Sequence, residues 1–171
     1  MLSTVSCSLS CRRPPGGLLR GALLGAAAGA AGTTALNATT YLDMVLRARA
    51  ASSTPEDTMQ RLSGLAHIPI PGNDEDRQNR LSGLGALSGL FAGVAAGGFL
   101  GVVRAAGWRP RPAVSVLAAT TVALLAGNVP MTLFGVTDPR TWSAGDWAAD
   151  VVPHAAYGMV TAGVLGGLDP S

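Results

Sequence analysis

The sequence contains no lysine. All twelve basic residues are arginine, set against ten carboxylates in 171 residues. The Ala, Gly and Arg bias is what a GC-rich bacterial genome writes, a matter of codons rather than function. Charge is scarce. Charged residues make up 13% of the chain, about half the usual globular share of ~25%. The formal net charge of +2 is too small for a basic nucleic-acid binder, so no nucleic-acid partner is expected. Cysteine is nearly absent as well. Only Cys7 and Cys11 occur, both close to the N-terminus, and two such residues exclude a disulfide scaffold. A chain that is 48% hydrophobic and so poor in charge is also not a disordered one.

Where charge is missing matters more than how much is missing. Arg20 and Asp43 enclose 22 uncharged residues, Arg80 and Arg104 enclose 23, Arg111 and Asp138 enclose 26, and Asp150 and Asp169 enclose 18. A helix needs ~20 mainly apolar residues to cross a bilayer's hydrocarbon core. A charge at the centre of such a helix costs roughly 2.5–3.5 kcal/mol. The four gaps predict an all-α integral membrane four-helix bundle, with spans near residues 18–46, 84–106, 114–134 and 149–168. Residues 1–17 are expected to form a disordered polar leader, and residues 18–168 one domain. Trp108, Trp142 and Trp147 lie just outside the gaps, where an interfacial aromatic belt belongs.

The first span has a rival reading. Arg12 and Arg13 before an apolar run of small residues resemble a cleaved signal peptide. The uncharged stretch continues to Leu42, too long for such a core, so a retained helix is expected. Orientation is nearly balanced. With the N-terminus inside, six arginines fall on each side of the membrane. The Arg104–Arg111 joint tips the balance, because short arginine-dense loops dominate orientation. Both termini are therefore expected in the cytoplasm of a bacterium, with the chain in its plasma membrane.

Glycine is abundant, at 23 residues, and it is patterned. Gly85, Gly89, Gly93, Gly97 and Gly101 recur every fourth residue on the second span. Gly21, Gly25 and Gly29 do so on the first. Ala119, Ala123 and Gly127 keep the spacing on the third, and Gly158, Ala162 and Gly166 on the fourth. Residues four apart share a helix face, and small residues there let two backbones approach closely in lipid. These rows predict packing faces. Whether the partner helix lies in the same chain, a second copy or another membrane protein is open at this point.

Residues 47–80 form the one sizeable loop. Thr54-Pro55-Glu56-Asp57 reads as a helix start, with Thr54 as cap and Pro55 as the first helical residue. Met59, Leu62 and Leu65 then recur on one side, predicting a short amphipathic helix over about 55–66 that lies on the membrane surface or caps the bundle. His67 reads as a surface residue. Asn73 is expected to cap the polar run leading into the second span.

Ionisable residues at membrane depth are functional candidates. Asp150 and His154 share a face of the last span, and Tyr157 continues it inward. Asp146 is on the same side, but Ser143-x-x-Asp146 reads as a capping box. Pro153 weakens this helix. Asn37 on the first span and Asn128, beside Pro130 on the third, are the polar neighbours expected to complete an intramembrane site. Three readings stay open. The face could relay protons through His154. It could supply half of a metal site, although one helix offers too few ligands. Or His154 could simply make an interhelical hydrogen bond. Neither a metal nor a cofactor is expected. No phosphate loop, nucleophile elbow or dinucleotide fingerprint is present.

The runs Thr34–Asp43, Gly135–Trp142 and Asp150–Gly158 resemble stretches of small actinobacterial membrane proteins, over about residues 17–167. The last part, with its His and Tyr-Gly, more distantly resembles the YagU-like inner-membrane family. Neither group carries an established activity, so the resemblance implies location and a compact helical bundle and no chemistry. The expectation is a non-enzymatic membrane protein in contact with lipid, packed through glycine faces with itself or a partner. A small transporter or proton conductor using the polar face is one alternative, and a membrane subunit of an enzyme complex another.

Overall fold

A computed structural model describes residues 16–169. The leader before them, with Cys7, Cys11, Arg12 and Arg13, lies outside the described residues, while Gly16 and Gly17 already belong to the first helix. Five α-helices follow in order: α1 Gly16–Arg47, α2 Thr54–Ala66, α3 Asp74–Ala105, α4 Pro112–Leu133 and α5 Ala144–Leu168. A 3-10 turn at Pro139–Thr141 precedes α5. No strand occurs among the described residues. Three helices, α3, α4 and α5, are long and apolar enough to cross a membrane. α1 is as long as α3 but is not among them. Glycine, Thr33, Thr34 and Asn37 dilute its leucines.

Local chemistry sets the helix ends. Asn73 caps α3 by accepting from the Asp76 amide at 2.8 Å, and three carboxylates fill the first turn, where the helix dipole favours them. Ser143 and Asp146 form a reciprocal capping box on α5. α2 starts one residue earlier than its sequence suggests. Ser53 holds the cap position, with Pro55 and two carboxylates in the first turn. It ends where His67 turns left-handed, at φ 56°, and the His67 and Ile68 amides close on Gly64 and Ser63. Pro112 opens α4, a position where its missing N–H costs nothing.

The four long helices run up and down, so α1, α3, α4 and α5 alternate in direction. α1 contacts α3 and α5 extensively, α5 also packs on α4, and α3 and α4 touch less. α2 lies against the first half of α3, where Ser82 donates to Glu56 at 2.6 Å. At a rise of ~1.5 Å per residue, the 32 residues of α1 and of α3 reach well beyond a hydrocarbon core of ~30 Å.

Small residues take a large share of the interior, beside Leu81, Leu100, Tyr157 and Leu165. Ala28, Ala96, Ala119 and Ala123 are buried, whereas Val45, Leu87, Phe91, Leu117 and Leu133 point outward and are more than 60% exposed. Contiguous apolar surface on this scale is unfavourable in water and matches a lipid surround.

Candidate functional site

The glycine rows meet each other. A Cβ placed on Gly25 would fall 2.8 Å from the Gly101 Cα, and one on Gly29 would fall 3.0 Å from the Gly97 Cα. On Gly21 it would lie 2.6 Å from the Gly101 carbonyl oxygen. Gly21, Gly25 and Gly29 of α1 therefore face Gly101, Gly97 and Gly93 of α3 in antiparallel register, backbone on backbone. The five-glycine row on α3 does not serve one partner. Gly85 abuts Pro55 and Glu56 of α2, and a Cβ on Gly89 would meet nothing within 4 Å. The reason is geometric. Steps of four slightly exceed the 3.6-residue turn, so a long row drifts off the contact with a neighbouring helix.

Sequence reasoning missed one close approach and left the partner of another open. Gly32 leaves room for the ring of Tyr157, since a Cβ there would sit 2.8 Å from Cδ2 and would also strike Thr161 Oγ1. Gly158 lies against α4, where a Cβ would be 2.8 Å from the Val116 carbonyl. Gly158 belongs to the small-residue row read on the fourth span, whose partner proves to be α4, whereas Gly32 stands outside every row.

Tyr157 is fully buried where α1, α3 and α5 meet. Its hydroxyl donates to the Gly93 carbonyl at 2.7 Å. Thr161, one turn on, is also fully buried and lies 3.4 Å from the Ala28 carbonyl. Thr33 donates to the Gly29 carbonyl at 2.8 Å. These hydroxyls use carbonyl lone pairs left over by the helices and tie three elements together at one level.

The candidate intramembrane site separates into parts. Three of its five residues come together. The Asn128 amide donates to Asp150 Oδ2 at 2.8 Å, linking α4 to α5. His154 Nδ1 lies 2.7 Å from the Asp150 carbonyl oxygen and 3.3 Å from Asp150 Oδ1. A Cβ on Gly127 would come 3.7 Å from His154 Nε2. The His154 and Asp150 side chains are 16% and 18% exposed. The interhelical bond thus belongs to Asp150, not to His154, whose ring bonds within its own helix. Tyr157 is one turn deeper and engages α3 instead. Asn37 is exposed on α1 and stands apart. A residue's helix face can be read from spacing; which neighbour that face meets depends on the bundle order.

Prolines flank the cluster. Pro130 and Pro153 both lie inside helices, each removing one backbone donor. Thr132 donates to the Asn128 carbonyl at 2.8 Å. No group of three or more His, Cys, Asp or Glu among the described residues is arranged to hold a metal ion.

Comparison with protein-family models, with curated proteins and with solved structures gives no match.

Ion pairs stand at both ends of the bundle, local to α1 at one end and between elements at the other. Asp43 meets Arg47 at 3.5 Å and also pairs with Arg49. At the opposite end, Asp169 closes α5 onto the α3–α4 joint, with Arg109 at 2.8 Å and Arg104 at 3.3 Å. This clamp was not foreseen from the sequence. Its signal lay in alternating helix direction, which brings the end of the last helix beside the joint between the second and third spans. In the α4–α5 connection, Trp142 stacks edge-on against Trp147 with centroids 5.1 Å apart. Its indole N–H donates to Thr137 at 2.9 Å.

Proposed function

We propose that the chain is a four-span integral membrane protein of a bacterial plasma membrane, with both termini cytoplasmic, and that its role is non-enzymatic. The contact of Gly21, Gly25 and Gly29 with Gly101, Gly97 and Gly93 carries this reading. It supports α1 as a fourth span even though α1 is not among the three helices apolar enough on their own to cross a membrane. A helix packed on two partners presents only part of its surface to lipid, and backbone-to-backbone packing suits an environment without a hydrophobic drive between helices. Because these glycine faces are used within the chain, self-association or a membrane-protein partner would have to use the outward faces. Orientation is supported by charge. Among the described residues, one end holds Arg20, Arg104, Arg109 and Arg111 with Asp169 alone, and the other holds six arginines among nine carboxylates. The arginine-rich end suits an anionic cytoplasmic leaflet.

A second reading is favoured by one observation. The Asn128, Asp150 and His154 cluster joins an acid and an imidazole between two proline-bearing helices, an arrangement suited to moving protons. Proton flux in proteoliposomes decides between the two. The non-enzymatic structural reading predicts no flux above that of protein-free vesicles. Flux that is lost in His154→Ala but kept in Asp146→Asn would replace it with conduction through this cluster.

A further inference from the structure

We propose that Asp150 and His154 form a proton-binding site that opens only to the end of the bundle carrying α2. The α4–α5 seam then takes up protons from that side without passing them across. The inference rests on the membrane reading above and parts from conduction through the cluster.

A hydrogen bond fixes the tautomer of the ring. His154 Nδ1 lies 2.7 Å from the Asp150 carbonyl oxygen, which offers lone pairs and no hydrogen. Nδ1 therefore carries the proton of the neutral imidazole. Nε2 is left as a lone pair and makes no hydrogen bond among the described residues. It faces Gly127 of α4, where even a Cβ would stand 3.7 Å away. A proton taken from water at Nε2 makes an imidazolium, and the Asp150 carboxylate is already 3.3 Å from its Nδ1. The Asn128 amide holds that carboxylate from the other helix at 2.8 Å.

Other charges stand away from the pair. α4 carries no titratable residue, and α3 carries none between Arg80 and Arg104. On α1, Asp43 and Arg47 pair with each other, and Arg47 reaches only Gly145 and Asp146 in the first turn of α5. Tyr41 points outward. On α5 itself, Asp146 is held in its capping box, and the Tyr157 hydroxyl is committed to the Gly93 carbonyl.

Access is one-sided. At the α2 end, Thr132 and residues 135–140 line an open bowl of about 500 Å³. Thr132 donates to the Asn128 carbonyl one turn deeper, and the Asn128 amide leads on to Asp150. Polar groups thus descend from the bowl to His154. Beyond His154 the seam closes. A Cβ on Gly158 would fall 2.8 Å from the Val116 carbonyl oxygen and 2.9 Å from the Thr120 nitrogen, and Tyr157 is fully buried. The cavity at the opposite end holds about 30 Å³ and is lined no deeper than Ala119 and Thr161, room for a single water.

Two measurements on the full chain test this. The sequence has two histidines, His67 and His154, so isotope-labelled histidine gives two NMR signals in lipid nanodiscs, and His67→Gln assigns them. His154 should show the neutral ring protonated at Nδ1 and gain a second proton as the pH is lowered. A neutral ring protonated at Nε2, or one that stays neutral down to the acid limit of folding, overturns the inference. The second measurement is cysteine labelling, with Cys7 and Cys11 replaced by serine. A small membrane-impermeant thiosulfonate should label His154→Cys from the same side as Ser52→Cys, and neither from the other side. Labelling of His154→Cys from the side opposite to Ser52→Cys, from both sides or from neither overturns the inference. Labelling of both only in inverted vesicles supports the site and reverses the orientation. Should His154→Cys not fold, the NMR measurement on the unaltered ring still decides. Proton flux above that of protein-free vesicles also overturns the inference. Recovery of the protein in the membrane-free fraction of cells would instead overturn the membrane reading itself.

Discussion

Gly97 lies between two helices that leave no space for a side chain. A Cβ there would fall 2.5 Å from the Gly29 Cα, so a larger residue must push α1 and α3 apart. Gly97→Leu is expected to destabilise the bundle by about 1–3 kcal/mol, the usual cost of overpacking. Gly163→Leu, at a position with nothing within 4 Å, should leave stability near that of the wild type. Thermal unfolding in detergent compares them, and equal midpoints would show that the contact is not tight. The glycine spacing was legible in sequence, but its partner was not. Nothing in a one-dimensional row says that Gly97 meets Gly29 while Gly89 meets nothing. The same holds for Asn37 and Asn128. Both read as polar residues on apolar helices, and only helix order sets Asn128 against Asp150 and leaves Asn37 exposed.

Elements were more legible than contacts, because helix ends are written in short-range chemistry. The Ser143 and Asp146 capping box was readable from spacing alone and is reciprocal in the fold, with the Asp146 carboxylate accepting from the Ser143 amide at 2.9 Å. Ser143→Ala should cost about 1 kcal/mol and fray the first turn of α5, seen as faster amide exchange at Ala144–Asp146. Unchanged exchange there would assign the turn's stability to the Trp142–Trp147 contact instead. Just before this helix, Arg140 donates side-chain hydrogen bonds to Asp138 at 2.9 Å, its backbone amide adds another, and the Asp138 carboxyl is held below the usual carboxylate range. A depressed acid stabilises the fold above its unfolded pKa of ~3.9. That contribution is lost as pH falls through the folded value. The pair is exposed, so the effect on stability is small. A carboxyl titration followed by NMR should place the Asp138 midpoint below that of Asp138 in an Arg140→Gln variant. Coincident midpoints would contradict the pairing. What the sequence obscured at this scale was α1. Its uncharged length suggested a span equal to the others, whereas Gly, Thr and Asn interrupt its apolar run and leave it outside the three helices apolar enough to cross a membrane.

For the whole molecule, the interrupted apolar run of α1 and its central packing are two sides of one solution. A helix that contacts both α3 and α5 needs small residues more than large ones, and those same small residues lower its hydropathy. Many large apolar side chains lie on the outside, while the interior mixes alanine and glycine with Leu81, Leu100, Tyr157 and Leu165, an arrangement that suits lipid. The central claim is that α1 crosses the membrane with the other three. Cysteine labelling in intact cells tests it most directly, in a chain with Cys7 and Cys11 replaced by serine. Gly17→Cys and Ser52→Cys flank α1, and both sites are exposed. Four spans predict that a membrane-impermeant maleimide labels Ser52→Cys from outside and reaches Gly17→Cys only after permeabilisation. Labelling of both positions from the same side would contradict the account and leave α1 on one face of the membrane.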